Sequence, residues 1–276
     1  MNKDEIKKMV REGYGEVAMS QSGCCGPSSC CGGTDTAETI SKGIGYSEED
    51  IKSVPEGANL GLGCGNPVAL ASLKKGETVI DLGSGAGFDC FLAADKVGRE
   101  GRVIGVDMTS QMLEKAKANA AEGDYANVEF RLGEIENLPV ADNFADVIIS
   151  NCIINLSPDK PRVFAEAFRT LKPGGRLMVS DIVLLKELPA YIIESVNAYV
   201  GCLSGAMLKD DYLEAVRQAG FESVKVNEES SFAVEFMAND PTVQKAAAQL
   251  GTSLDKAIAD IEGTVLSVKV SAIKPR

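Results

Sequence analysis

The chain has no histidine and no tryptophan, and only 5% of its 276 residues are aromatic. Without imidazole, the commonest general base and the commonest transition-metal ligand are both missing, so chemistry falls to carboxylates, tyrosines and thiols. Positive charge is short too: 28 Lys and Arg stand against 40 Asp and Glu, a formal net charge of -12. That balance disfavours nonspecific contact with nucleic acid or anionic lipid, and neither is expected as a partner. No run of about 18 apolar residues occurs that could span a membrane. The N-terminal MNKDEIKKMVREGYGEV also lacks the apolar stretch of a secretion signal. A cytoplasmic protein with reduced thiols is the expectation.

What the chain does have is cysteine. Eight are present: Cys24, Cys25, Cys30, Cys31, Cys64, Cys90, Cys152 and Cys202. The number is even, but a chain of this length buries a core large enough to do without disulfide staples, so thiol chemistry is the better use for them. The doublets Cys24, Cys25 and Cys30, Cys31 sit in SQSGCCGPSSCCGGTDT and lack the Cys-x2-Cys spacing of common zinc sites. They fit a solvated tail or a thiol-bearing arm equally well.

Residues 1–60 begin with a short charged helix and pass into that small-residue stretch, which reads as a mobile N-terminal arm. From Glu77 the pattern changes. TVIDL (78–82), RVIGV (102–106), NVEFR (127–131), DVIIS (146–150) and RLMVSDI (176–182) are short apolar runs separated by helical segments. This alternation predicts βαβ units, an α/β fold with a mostly parallel sheet and helices on both faces. TSQMLEKAKANAAE places Met112, Leu113, Ala116 and Ala120 on one face. PDKPRVFAEAFRTLKPGG opens with Pro and stops at Pro-Gly-Gly; both read as crossover helices. Its entrance SPDKPR reads as a solvated charged turn. Beyond Leu184, two helical segments precede FESVKVN and TVLSVKVSAIK, which read as strands completing the sheet edge. The expected divisions are an arm over 1–60, a central domain over 61–185 and a smaller C-terminal α/β portion over 186–276.

The most specific stretch is VIDLGSGAGFDC. Asp81 ends the first strand, and Gly83, Gly85 and Gly87 follow at alternate positions, allowing a tight turn and close backbone approach to a ligand above a helix N-terminus. A dinucleotide fingerprint needs Gly-x-Gly-x-x-Gly, and Phe88 occupies its last position here. Asp-x-Gly-x-Gly-x-Gly instead resembles motif I of the class I S-adenosylmethionine methyltransferases. The rest of that pattern follows in order: Asp107 in GVDM, then GEIENLP, then LKPGGRLMVSD. The resemblance implies a Rossmann-like fold with S-adenosylmethionine as cofactor. It places Asp107 on the ribose hydroxyls and Ile135 and Glu136 on the adenine. Met108 fits an apolar wall for that ring or a core position. Asn151 could orient the cofactor's methionine part or the substrate, or cap the strand-end turn.

The acceptor half carries its own marks. GLGCGNP around Cys64, ISNCIINLSPDKP around Cys152 and YVGCLSGA around Cys202 resemble the arsenite S-adenosylmethionine methyltransferases of bacteria and archaea, from about Asn59 to the C-terminus. By that resemblance Cys64, Cys152 and Cys202 are the arsenic-handling thiols, with Cys152 and Cys202 as direct ligands. The family also uses a more N-terminal cysteine, which the doublets could supply, and the resemblance implies thioredoxin or glutathione as the reductant. Cys90, within FDCFLAA, reads as a small core hydrophobe. Trivalent arsenic is soft and thiophilic, so sulfur suits it where carboxylate or amine does not. Thiol-bound arsenic keeps a lone pair and needs no base, which agrees with the missing histidine. Two other readings compete: methylation of a small organic acceptor such as a quinone precursor, and a noncatalytic arsenite- or metal-binding protein.

Overall fold

The computed structural model describes residues 2–20, 33–193, 202–231, 261 and 263–276. Its centre is a seven-stranded sheet in the order β3-β2-β1-β4-β5-β7-β6. The strands are β1 (Thr78–Leu82), β2 (Arg102–Asp107), β3 (Val128–Leu132), β4 (Ala145–Asn151), β5 (Leu171–Leu184), β6 (Glu222–Ser231) and β7 (Val265–Ile273). The first five pair in parallel, while β7 runs antiparallel between β5 and β6. Val79, Ile80 and Leu82 of β1 and Val147, Ile148 and Ile149 of β4 are wholly buried. That is why these strands read as continuous apolar runs: a parallel sheet is covered on both faces.

Two helical layers provide the cover. On one face α5 (Phe88–Val97) and α6 (Ser110–Glu122) pack Phe91, Ala94, Val97, Leu113 and Ala116 against the sheet. On the other, α7 (Lys160–Thr170) and α9 (Lys209–Gln218) contribute Val163, Phe164, Ala167, Tyr212 and Val216. Phe164 and Tyr212 meet edge to face at 5.3 Å, and truncating either ring in so closed a core costs about 3–5 kcal/mol. α4 (Pro67–Leu70) and α8 (Ala190–Ile193) are single turns. The helical segment expected to run through residues 194–201 lies outside the described residues, as do Cys24, Cys25, Cys30 and Cys31.

The first sixty residues differ from a mobile arm wherever they are described. α1 (Lys3–Ser20), α2 (Gly33–Gly43) and α3 (Glu48–Ser53) are helices packed on the domain. Val10 of α1 is buried among Cys64, Leu156 and Cys202, and Tyr46 and Ile51 join the core beneath α5. The physical reason is a narrow apolar stripe, Ile6, Val10, Tyr14 and Ala18, at helical spacing within an otherwise charged segment. Lys7 completes the docking by pairing with Glu134 at 2.7 Å and Glu136 at 3.5 Å.

Candidate active site

Strand order reverses between β1 and β4, and the carboxyl ends of the strands flanking such a switch point form the crevice where open α/β sheets bind ligands. Asp81 and Asn151 stand at those ends, and Asp107 stands at the carboxyl end of β2 next to β1. The loop after β1 holds Gly83 at φ +69° and Gly85 at φ +51°, backbone a larger residue resists. A side chain on Gly85 would meet nothing within 4 Å, so the loop leaves open space above it. Gly87, also left-handed, leads into α5.

Acids crowd this crevice. Asp107 accepts the Gly85 N–H at 3.0 Å and the Thr109 N–H at 2.8 Å, which fixes its carboxylate and leaves lone pairs for a hydroxyl. Burial raises its pKa against the pull of those N–H groups. Asp81 is buried, and burial first, then the charge of Asp89, push its pKa well above the usual carboxylate range. The Cys90 thiol donates to Asp81 at 3.2 Å, so this cysteine supports the acid as well as filling the core. Among the described residues no Lys or Arg forms an ion pair with Asp81, Asp89 or Asp107, and the buried Ser84 hydroxyl has no partner. Uncompensated buried carboxylates beside an unsatisfied hydroxyl and open space fit a cationic, hydroxyl-bearing ligand. Ile135 is buried in the main core, Glu136 accepts the Ser157 hydroxyl at 2.6 Å, and Met108 packs against the apolar cluster that contains Cys64 and Cys202.

The cysteines converge at the neighbouring end of β4. The sulfurs of Cys64 and Cys152 and a carboxylate oxygen of Asp181 lie within 4.8 Å of one another. The Cys202 thiol donates to the Cys152 carbonyl at 2.9 Å, and Cys64, Cys152 and Cys202 share one apolar cluster. All three are free thiols. Contact with Cys202 and Cys64, then burial, raises the Cys152 pKa well above its usual value; burial raises that of Cys64. Cys152 and Cys202 both adopt left-handed backbone, φ 59° and φ 64°. Such strain in a non-glycine residue costs of order 1–3 kcal/mol and persists where the surroundings fix it.

Several residues here had no place in the sequence reading. Asp181 is wholly buried, accepts from Asn155 at 2.8 Å and Tyr212 at 3.2 Å, and burial lifts its pKa to about 7. Lys160, read from sequence as part of a solvated turn, is buried instead and donates to the Ser157 carbonyl at 3.0 Å. Burial lowers its pKa against the pull of Asp181, whose own pKa its charge draws down. Asn151 is engaged by protein on both amide atoms: Oδ1 accepts the Cys64 N–H at 3.0 Å, and Nδ2 donates to Gly65, Tyr46 and Asp89. Asn151, read from sequence as orienting the cofactor or substrate or capping the strand end, thus holds the backbone of the Cys64 loop.

The family description "Methyltransferase domain" matches residues 73–220, more than half of the chain. The chain belongs to that methyltransferase family. The acids, the glycine loop and the unpaired Ser84 fit the cationic end and the ribose of S-adenosylmethionine. Arsenite methyltransferase of Halobacterium salinarum is 49% identical over 231 residues, 81% of this chain and 59% of that one. Arsenite methyltransferase of Aquipseudomonas alcaligenes is 42% identical over 62% of this chain and 51% of its own length. The chain thus spans between half and three fifths of these curated relatives. The crystal structure of an arsenic(III) S-adenosylmethionine methyltransferase from Chlamydomonas reinhardtii superposes with a TM-score of 0.61 at 29% identity, covering 87% of this methyltransferase and 73% of that chain.

Proposed function

We propose that this methyltransferase moves a methyl group from S-adenosylmethionine to trivalent arsenic held by Cys64, Cys152 and Cys202, in arsenic detoxification. The observation that carries the reading is the meeting of three free thiols, from distant parts of the chain, beside the acid-lined crevice. Asp81, Asp107, Met108, Ile135 and Glu136, with the loop Gly83, Gly85 and Gly87, would hold the cofactor. When bound, it supplies an electrophilic methyl group, which the lone pair of thiol-bound arsenic accepts without any proton leaving the nucleophile. The protein's share is placement and exclusion of water: buried sulfurs fix the arsenic, and α1 closes over the thiols with Val10 and Tyr14.

Gain of the methyl leaves arsenic formally pentavalent. Two electrons restore it when two protein thiols form a disulfide, and thioredoxin or glutathione then reduces that bond. Reduced thiols suit a cytoplasmic setting, and no described helix is long and apolar enough to cross a membrane. An organic acceptor would leave the three thiols unused, and a noncatalytic arsenite binder would leave the acid crevice unused.

Intact-mass measurement tests the ligand set in protein with Cys24, Cys25, Cys30 and Cys31 changed to Ser. Arsenite should add one arsenic with loss of three protons, and each of Cys64→Ser, Cys152→Ser and Cys202→Ser should reduce the loss to two. An unchanged adduct in any of the three would remove that cysteine from the set.

A further inference from the structure

Between the acid crevice and the thiol cluster runs a continuous buried hydrogen-bond path through a residue outside both. Tyr46 follows α2 and precedes the Ser47 cap of α3, and its ring packs on Phe88 at 4.8 Å. Its hydroxyl donates to Asp89 Oδ1 at 2.6 Å and accepts from Asn151 Nδ2 at 2.9 Å. The same Nδ2 reaches Asp89 Oδ2 at 3.1 Å and the Gly65 carbonyl at 2.8 Å, while Asn151 Oδ1 accepts the Cys64 N–H at 3.0 Å. At one end Asp89 adjoins Cys90, whose thiol donates to Asp81 at 3.2 Å, and the Asp89 charge acts on Asp81. At the other, the peptide carrying Cys64 is held by the amide of Asn151.

The path has little slack. A Cβ on Gly63 would lie 2.9 Å from Asn151 Nδ2, so the backbone of the Cys64 loop already rests on that amide. Turning or shifting the amide must move the loop.

We propose that Tyr46 is a positioning residue that couples the cofactor site to the thiol site, so that the cofactor and arsenite bind cooperatively. A cation held at Asp81 and Asp89 screens their mutual repulsion and fixes the Asp89 carboxylate. That carboxylate is the shared acceptor for Tyr46 and Asn151, so fixing it orients the amide that holds Cys64. Buried networks of this kind are rigid when every member is satisfied and lose that rigidity when one partner is loose. Linkage makes the effect reciprocal: arsenite must raise cofactor affinity by the factor by which cofactor raises arsenite affinity. The inference rests on the arsenite reading above.

Calorimetric titration of arsenite into reduced protein, with Cys24, Cys25, Cys30 and Cys31 changed to Ser, tests it. The titration is done with and without saturating S-adenosylhomocysteine, which keeps the ammonium group and cannot give a methyl. Arsenite should bind at least about fivefold more tightly in its presence, and Tyr46→Phe should reduce that factor to below about twofold while still binding both ligands. A Tyr46→Phe protein that keeps the full factor overturns the proposal, as does an unchanged arsenite affinity in the Tyr46 parent. A parent that binds S-adenosylhomocysteine but no arsenite overturns the arsenite reading itself. Should Tyr46→Phe not fold, amide exchange in the wild-type Gly63–Cys64–Gly65 segment decides: S-adenosylhomocysteine should slow it, and unchanged exchange refutes the coupling.

Discussion

Gly65→Ala is a small perturbation with a large expected effect. Gly65 is buried, and its φ lies outside the left-handed region, so alanine is not barred by backbone strain. Space bars it. An added Cβ would overlap Ser180 Oγ and lie 3.0 Å from Ser180 Cβ. Rotating the serine frees its oxygen, but its Cβ is held in the middle of β5, paired with Asn151 on one side and Lys269 on the other. The loop must then back away by about 0.5 Å to reach ordinary carbon contact. Overpacking of this kind costs about 1–3 kcal/mol of stability. Because a displacement of ~1 Å at a reacting group can cost on the order of 10²-fold, the Cys64 shift should lower methylation roughly ten- to a hundredfold. Urea denaturation and initial-rate assays on Gly65→Ala, Ser180→Gly and the double variant form a cycle. The double variant should recover at least about 1 kcal/mol relative to additivity. A Gly65→Ala protein as stable and active as wild type would refute the close seating of the Cys64 loop.

Other perturbations have equally definite outcomes. Cys152→Ser and Cys202→Ser should abolish turnover and leave S-adenosylhomocysteine affinity near normal in calorimetry. Asp81→Asn should weaken cofactor binding roughly ten- to a hundredfold by removing a charged acceptor, with arsenite still captured. Asp89 carries a pKa raised by burial to about 6 from the usual 3.8, so the native state holds its proton more tightly than the unfolded chain does. Its contribution is therefore full below pH ~4 and lost as pH rises through about 6. Asp89→Asn should gain Tm relative to wild type across that window, and a constant difference between pH 4 and 7 would contradict the sign.

The sheet was legible because a parallel strand buried on both faces can only be written in apolar residues, and TVIDL coincides with β1. The antiparallel turn of β7 was not, since TVLSVKVSAIK has the same content whichever way it runs. The glycine loop and its acids announced themselves by spacing, and Cys64, Cys152 and Cys202 by their surroundings. Asp181 was hidden inside RLMVSDI, where a carboxylate in a buried strand was itself the signal to follow. Lys160 was hidden by a charged neighbourhood, and only packing reveals that it alone of SPDKPR is a buried charge. Tyr46 belongs to a segment with no motif, and Asp89 follows the glycine loop at a position the motif itself does not use. Their role exists only in three dimensions, where Asn151, 105 and 62 residues from them along the chain, joins them to the Cys64 loop. The docking of α1 was concealed by its charge, which outnumbers the few apolar residues that do the packing.

The central claim meets its most direct test in one incubation: reduced protein, arsenite and S-adenosylmethionine labelled in the methyl group, followed by chromatography of the arsenicals. Label should appear in methylated arsenic and disappear with Cys152→Ser. A folded protein that binds S-adenosylmethionine yet yields no labelled arsenical under reducing conditions would contradict it.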